Sequence, residues 1–493
     1  MRFLSRYFSK IRGKNSRAKN GAIKVTLSNI FGQGSFVLVT PLLATLYSPE
    51  EFGLFGTFVA LYIIAAHFST LKYENAVAIA KSDEHAAASA WLSLGLVAVV
   101  NLVFYFIVFL CSKYNIFLST SSMLATTYNE IEIAALLAGV GLTLNVWLLR
   151  QRRYTTIAIT RIIYCFAIIF AQILLGWYWN FSEGLIAGQI MGLAVMVIFQ
   201  VTCVLTGDRT SLQFPSFETV KYVASRFSNF PKFSVWATLV GQFSAQAPVI
   251  IFAATGNLQS AGFYFMALRL LQAPLGMISQ SISQVVLAEA PDMYAKGSLD
   301  RLVVRIFSVC LRLGLLPMAV VCFLIVDIFS VFGMQEWHQT AIFIWIIAPW
   351  VFLVFILGPI SVITTIIEKQ KEWLIFQVTM FCFRVAGLVV GILYFNVTIA
   401  VIIYTLVGFV SWLLFFFWIM RELSIEPRAL LGKFLKTGVI TVLCLITLYV
   451  IQTALQYFAV SAVNNTMVLV ICASIFILGY FYQFVSTPLR HKS

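Results

Sequence analysis

Charge is scarce in this chain. Asp, Glu, Lys and Arg together make up 11% of its 493 residues, against about a quarter in an ordinary soluble domain. With 61% of residues hydrophobic and a mean hydropathy of +0.93, a water-exposed fold would carry far more apolar surface than it could bury. Phe alone supplies 45 residues, a composition suited to lipid. These proportions exclude a soluble globular domain and predict an all-α polytopic membrane protein.

Residues for metal and nucleophile chemistry are equally short. The four histidines, His67, His85, His338 and His491, lie far apart and form no H-x-x-x-H pair. The eight cysteines fall in or at the ends of apolar stretches, and none has C-x-x-C spacing, so neither a zinc site nor a disulfide framework is indicated. G-x-S-x-G, G-x-x-x-x-G-K-[ST] and H-E-x-x-H are all missing. No loop is large enough for an ATPase module. Active transport would therefore draw on an ion gradient or on the substrate's own gradient. The expectation is a non-enzyme with no catalytic residue, no metal and no cofactor.

Negative charge is the rarer sign, and the net charge is +14. The basic run Arg2, Arg6, Lys10, Arg12, Lys14, Arg17, Lys19 and Lys24 looks like a nucleic-acid arm only in isolation. Cytoplasmic segments of membrane proteins collect Lys and Arg, so no nucleic-acid partner is expected. The run is also too long, and lacks a small-residue cleavage site before Ile23, for a cleaved signal peptide.

What is present in quantity is apolar sequence of spanning length. About 20 apolar residues cross the hydrocarbon core, and that ruler gives spans near 24–46, 54–80, 89–111, 131–149, 156–179 and 183–206. Six more follow at 233–254, 262–288, 305–333, 341–366, 374–395 and 398–420, then two at 435–458 and 466–486. With the N-terminus placed inside, 27 of the 33 Lys and Arg fall on cytoplasmic segments, five lie within spans and Lys113 alone lies outside. A missed or invented helix would invert every later assignment, so the split supports fourteen spans with both termini cytoplasmic.

The expected organisation is a basic tail (1–22), a six-helix N-lobe (23–206), a linker (207–230), a six-helix C-lobe (231–420), a second linker (421–434) and two further helices with the C-terminus (435–493). Both linkers are amphipathic and read as helices on the membrane surface; in the first, Phe217, Val220, Ala224 and Phe227 form the apolar face. An internal repeat supports the lobes. Gly32-Gln33 followed by Gly53-Leu54-Phe55 has the same spacing as Gly241-Gln242 followed by Gly262-Phe263-Tyr264, at an offset of 209 residues. Six spans separate the copies, so both enter from the same side as a parallel repeat.

Polar residues recur along three spans. Arg269, Gln272, Gly276, Gln280, Ser283 and Gln284 share one face of span eight; Ser234, Thr238, Gln242 and Gln246 follow at steps of four in span seven; Thr26, Asn29, Gln33 and Thr40 mark span one. Interhelical hydrogen bonds are one reading, and a shared aqueous cavity fits three such stripes better. Ionisable residues lie deeper: Lys72, Glu74, Arg161, Arg269, Arg312, Asp327 and Arg384. Each costs about 2.5–3.5 kcal/mol at the bilayer centre even on the lenient insertion scale. Five cations against two carboxylates leave a positive surplus for an anionic ligand. Lys72 and Glu74, two apart on a helix, are not expected to pair. Asp327 is placed to pair with Arg269 or to hold a proton or cation, and His67 reads as a packing residue.

These residues carry a resemblance. Phe31-Gly32-Gln33-Gly34, the run from Leu46 through Tyr47-Ser48-Pro49-Glu50-Glu51 to Phe55, and Leu71-Lys72-Tyr73-Glu74 resemble the first two helices of Wzx-type O-antigen flippases. The similarity continues through Asn229-Phe230-Pro231-Lys232, Gln242, Ala261-Gly262-Phe263-Tyr264, Arg269 and Ser279 to Val285. It covers about residues 23–85 and 226–292. Lys72 departs from the Arg expected there, which keeps the charge and loses the bidentate fork.

The resemblance implies the polysaccharide-transport branch of the multidrug/oligosaccharidyl-lipid/polysaccharide (MOP) superfamily: two six-helix lobes in a V, a central cationic cavity and alternating access. Its members move undecaprenyl-pyrophosphate-linked oligosaccharide from the inner to the outer leaflet of the bacterial cytoplasmic membrane. The two extra C-terminal helices are similar to those of the fourteen-helix lipid II flippases. The expected substrate-binding cations are then Arg269, Arg384, Lys72, Arg161 and Arg312, with Gln33, Gln242, Gln246, Gln272 and Gln280 as polar lining. Glu74 and Asp327 are the candidates for coupling to H⁺ or Na⁺. Expected partners are the lipid-linked oligosaccharide, membrane lipids and polysaccharide polymerase machinery. A MATE-like drug antiporter is the alternative, and a glycan polymerase or ligase ranks below it. The first would favour acidic cavity residues, and the second generally needs a large outer loop.

Overall fold

The computed structural model describes residues 38–113, 122–179, 183–206, 214–457 and 462–490, preceded by Ser28, Gly32 and residues 34–36. All regular structure among them is helical, as expected where hydrocarbon leaves backbone groups only each other as partners. In order these are α1 (Gly34–Leu46), α2 (Pro49–Ser69), α3 (Glu74–Ile79), α4 (Asp83–Lys113), α5 (Ser122–Arg150), α6 (Tyr154–Trp179), α7 (Gly184–Leu205) and α8 (Phe217–Arg226). A π-helical turn, Phe230–Ser234, leads into α9 (Val235–Ala254), α10 (Leu258–Ala295), α11 (Leu299–Val331), α12 (His338–Ser361) and α13 (Ile363–Ile366). The chain continues through α14 (Gln370–Tyr394), α15 (Val397–Glu422), α16 (Pro427–Tyr457) and α17 (Ala462–Arg490).

Eleven helices among the described residues are long and apolar enough to cross a bilayer, and the two bent halves of α10 make a twelfth when taken as one span. Shorter apolar helices at Gly34–Leu46 and Asn464–Tyr480 lie where the first and last spans are expected. The chain divides into two compact units inside α10, one reaching Met266 and the other running on from Ala267.

In the first unit, the Ser48-Pro49-Glu50-Glu51 segment is a helix start. Ser48 Oγ accepts from the Glu51 N–H while the Glu51 carboxylate accepts from the Ser48 N–H at 2.7 Å, and Pro49 opens α2. This reciprocal capping box satisfies two donors that the helix cannot. Tyr47 donates to the Gln172 carbonyl at 2.7 Å, tying that start to α6. Gln189 donates to the hydroxyls of Tyr62 and Tyr164, and Ser93 pairs with Thr143 at 2.8 Å. These are the interhelical polar contacts that apolar packing alone cannot supply in lipid.

Arginines at the helix ends also do structural work. Arg150 donates to the carbonyls of Val77 and Ala80 and pairs with Asp83 at 2.9 Å, closing the end of α3. Arg153 donates to the Cys203 carbonyl near the end of α7. A cation there meets the negative end of the helix dipole.

Two expectations change. The linker over 207–230 holds α8, capped by Ser216, but its packed side carries Val223 while Phe217 is 81% exposed. The Thr219 hydroxyl donates to Glu84, and Phe214 stacks on Trp91, so the segment docks on α4. Over 421–434 there is no separate surface helix. A turn with Ser424 at φ 53° follows α15, and Pro427 starts α16, which runs unbroken to Tyr457. Pro is tolerated at a first helical turn, where its missing N–H is no loss.

In the second unit, α10 is bent by 46° between its halves Leu258–Gln272 and Pro274–Leu287. Pro274 lacks the N–H for the i−4 carbonyl and its ring crowds that carbonyl. The polar face expected along one straight helix is thus split, with Arg269 and Gln272 before the bend and Gln280 and Ser283 after it. The last two helices pack on α11, where Leu448, Leu469 and Ala473 meet Leu316, Val320 and Leu324.

The repeat glycines of the first unit touch. A Cβ on Gly53 would strike the carbonyl of Leu258, and a Cβ on Gly262 would strike the carbonyl of Pro49. Each glycine thus faces the residue four positions before the other, a reciprocal contact of the kind a two-fold relation generates. Phe55 meets Phe265 edge-on beside it, with ring centroids 5.7 Å apart. Gly53→Val and Gly262→Val are each expected to lose at least the roughly 1–3 kcal/mol typical of overpacking. Thermal unfolding in detergent reads this out, and wild-type midpoints in both variants would contradict the crossing.

Candidate functional site

Span two does not continue through residue 80 as a single helix. It ends at Ser69, and Leu71 and Lys72 take φ values of 44° and 63°. Two consecutive left-handed residues other than Gly are rare and cost of order 1–3 kcal/mol each. The turn is held by the Lys72 N–H donating to Thr70 Oγ1 and the Leu71 N–H donating to the Phe68 carbonyl. It folds the Lys72 side chain back, so that Nζ lies 3.3 Å from Glu74 Oε1 and 3.3 Å from His67 Nδ1.

This corrects the expectation that Lys72 and Glu74 stay apart. That expectation assumed helical spacing, and the left-handed turn removes it. Lys72 is 9% and Glu74 3% exposed, so the pair neutralises two buried charges. Glu74 Oε2 finds no donor among the described residues.

The other cations divide into two kinds. Arg161, Arg269 and Arg312 are half-buried. Arg161 lies one turn before Cys165, whose Sγ is 2.6 Å from where a Gly32 Cβ would stand, so it sits beside the crossing of α6 with the first helix. Arg312 is joined by Lys433, which sequence reasoning assigned to a loop; the Lys433 ammonium donates to Ser308 Oγ at 2.9 Å, one turn from Arg312. Arg384 differs. It is 2% exposed, with its guanidinium 4.2 Å from the Trp350 ring and 3.8 Å from the Tyr404 ring.

Among the glutamines, Gln242 and Gln246 are half-buried on α9, and Gln272 and Gln280 are exposed on α10. Gln33, with Thr26 and Asn29 of the same stripe, lies outside the described residues. Asp327 Oδ2 accepts from Gln452 Nε2 of α16 at 2.9 Å. A further carboxylate escaped the sequence reading. Glu132 on α5 is 7% exposed and neither of its oxygens has a donor among the described residues. Its position at the edge of an apolar stretch concealed it.

The second unit also holds an apolar groove of about 820 Å³ between α11, α12, α15 and α16. Phe307, Trp345, Phe352 and Phe416 line it, together with Arg428. No group of three or more potential metal ligands occurs among the described residues.

The family model described as polysaccharide biosynthesis protein matches residues 42–342. No curated protein sequence matches the chain. Among solved structures, it is similar to the lipid II flippase MurJ in an inward closed conformation, with a TM-score of 0.69 and 14% identity over 95% of this chain and 99% of that one. An inward-facing multidrug resistance MATE transporter of the MOP superfamily gives a TM-score of 0.56 and 14% identity over 84% of this chain and 96% of that one. A MOP superfamily transporter from Pyrococcus furiosus, described by the reverse polarity of its binding pocket, gives 0.58 and 13% over 83% and 97%. At these identities the likeness establishes the fold alone: an all-helical fold with many membrane-spanning helices, like that of the MOP superfamily structures.

The Lys72–Glu74 pair is open to a double-mutant cycle. Removing one member of a buried pair strands the other charge, at about 3–5 kcal/mol. Lys72→Met and Glu74→Gln alone should each lower the unfolding midpoint, while the double variant recovers most of the loss. Additive effects would show that the two side chains do not depend on each other.

Proposed function

The chain belongs to the polysaccharide biosynthesis protein family, and we propose that it is a flippase for lipid-linked oligosaccharide. In this reading it moves an undecaprenyl-pyrophosphate-linked O-antigen repeat unit from the cytoplasmic to the periplasmic leaflet of the bacterial inner membrane, by alternating access, with both termini cytoplasmic. The observation that carries it is the extent of the structural likeness. The lipid II flippase fold covers 95% of this chain, whereas the MATE folds cover 83–84%. A lipid-linked saccharide is the substrate that joins a lipid flippase fold to a polysaccharide biosynthesis family.

The side chains support the same substrate class. A pyrophosphate needs cations in a place where water competes weakly, and half-buried guanidiniums offer two-pronged donors to its oxygens. Arg269, Arg161 and Arg312 are assigned that role, with Lys72 supplying charge modulated by Glu74. Gln242, Gln246, Gln272 and Gln280 offer both donors and acceptors to sugar hydroxyls. The apolar groove beside Arg428 suits a lipid chain whose anionic head stays at the rim. Arg384, enclosed by aromatic rings, is set apart from substrate.

Ion coupling is assigned to Asp327 before Glu74, because Glu74 is committed to Lys72. A bound H⁺ or Na⁺ biases such a cycle only through different affinities in its two states. Arg269 is the decisive residue for substrate. Arg269→Ala should abolish O-antigen export in a flippase-null strain at normal protein level, and Arg269→Lys should restore part of it. Full export by Arg269→Ala removes the residue from the site.

A further inference from the structure

Arg384 sits near the middle of α14, about 21 Å along the helix from Gln370, and is 2% exposed. None of the ion pairs among the described residues includes it. Its surroundings answer the charge only in part. Trp350 of α12 and Tyr404 of α15 face the guanidinium with their rings, at 4.2 and 3.8 Å. A desolvated cation–π contact is attractive, but it acts through the ring faces and accepts no N–H in the guanidinium plane.

Those in-plane donors are unanswered. Nε and Nη2 of Arg384 find no acceptor among the described residues. They form the same edge of the guanidinium, the side-on edge that holds carboxylates and phosphates two-pronged. The same is true of Trp350 Nε1 and of the Thr405 hydroxyl, which is 5% exposed. Two of these groups, Trp350 Nε1 and Arg384 Nε, meet at Gly408 of α15. A Cβ on Gly408 would lie 3.0 Å from Trp350 Nε1 and 3.1 Å from Arg384 Nε. Thr405 is three residues before Gly408 and Tyr404 four, so all three occupy one face of the helix.

We propose that Arg384, Trp350 and Thr405 form an intramembrane site for a small inorganic anion of the size of chloride, seated beside Gly408. The donor set selects for it. Arg and Trp side chains donate and cannot accept, so a water molecule placed there would bring two further hydrogens and leave the positive charge in place. A single-atom anion accepts from every donor at once and cancels the charge. Arg384 is not among the cations assigned to the transported substrate, so the site stands independently of the transport reading. The absence of a side chain at Gly408 is what leaves both N–H groups approachable.

The test uses the full chain purified in detergent, with chloride exchanged for gluconate at constant ionic strength. A ligand held by the folded state alone raises the unfolding midpoint as it saturates. The wild type should melt several degrees higher in chloride, with a saturating dependence on its concentration. Gly408→Ala, whose methyl occupies the approach, should melt alike in both salts. Trp350→Phe keeps a ring over the guanidinium but lacks the N–H, and should require several-fold more chloride for the same shift. Equal wild-type midpoints in the two salts would overturn the site. So would an undiminished chloride shift in Gly408→Ala, or an unchanged chloride dependence in Trp350→Phe.

Discussion

Hydrocarbon gives a charge or a polar group nothing to interact with, and much of the described structure follows from answering that demand. An ionisable side chain at mid-membrane costs about 2.5–3.5 kcal/mol even on the lenient scale. Several of those found here are met by a specific arrangement, although Glu132 has no donor among the described residues. Lys72 is met by Glu74 and His67 through a left-handed turn. Asp327 is met by Gln452. Arg384 is met by two aromatic faces. At the helix ends, Arg150 and Arg153 are turned onto carbonyls. Arg161, Arg269 and Arg312 stay half-buried and are the residues proposed to meet the substrate's anionic head.

The same demand explains the backbone features around these residues. The turn at Leu71 and Lys72 spends strain energy to bring an ammonium within reach of a carboxylate, and strained backbone concentrates where a side chain must be aimed. The bend at Pro274 re-aims the second half of a polar helix. The crossing at Gly53 and Gly262 brings two helices into backbone contact, which side chains at those positions would forbid. Van der Waals contact between close-packed backbones is one of the few attractions available between helices in lipid.

Much of the helical frame was legible in the sequence, because hydropathy is a property of long segments. The Ser48-Pro49-Glu50-Glu51 helix start and the repeat glycines were legible as motifs, although their contact was not. Pro274 was visible as a residue whose consequence the helical ruler ignored. The Lys72–Glu74 pair was hidden because no Gly, Asn or Pro marks the turn between them. The backbone there is set by tertiary contacts, and spacing rules written for helices gave the wrong answer. Arg384 read as a cavity cation because sequence shows depth along a helix but not which rings stand across from it. Glu132 was missed for the opposite reason, lying too near the end of an apolar stretch to count as deep.

Half-buried cations as the substrate site of the proposed flippase have one central consequence: a transported head would be anionic. The most direct measurement is flipping by purified protein in proteoliposomes, comparing a pyrophosphate-linked polyprenyl oligosaccharide with the same glycan on an uncharged polyprenyl ether. Leaflet position is read by accessibility of the glycan to an impermeant lectin. Protein-dependent flipping of the pyrophosphate-linked lipid, with none of the uncharged analogue, is the predicted result. Equal movement of both lipids, or of neither, would contradict it.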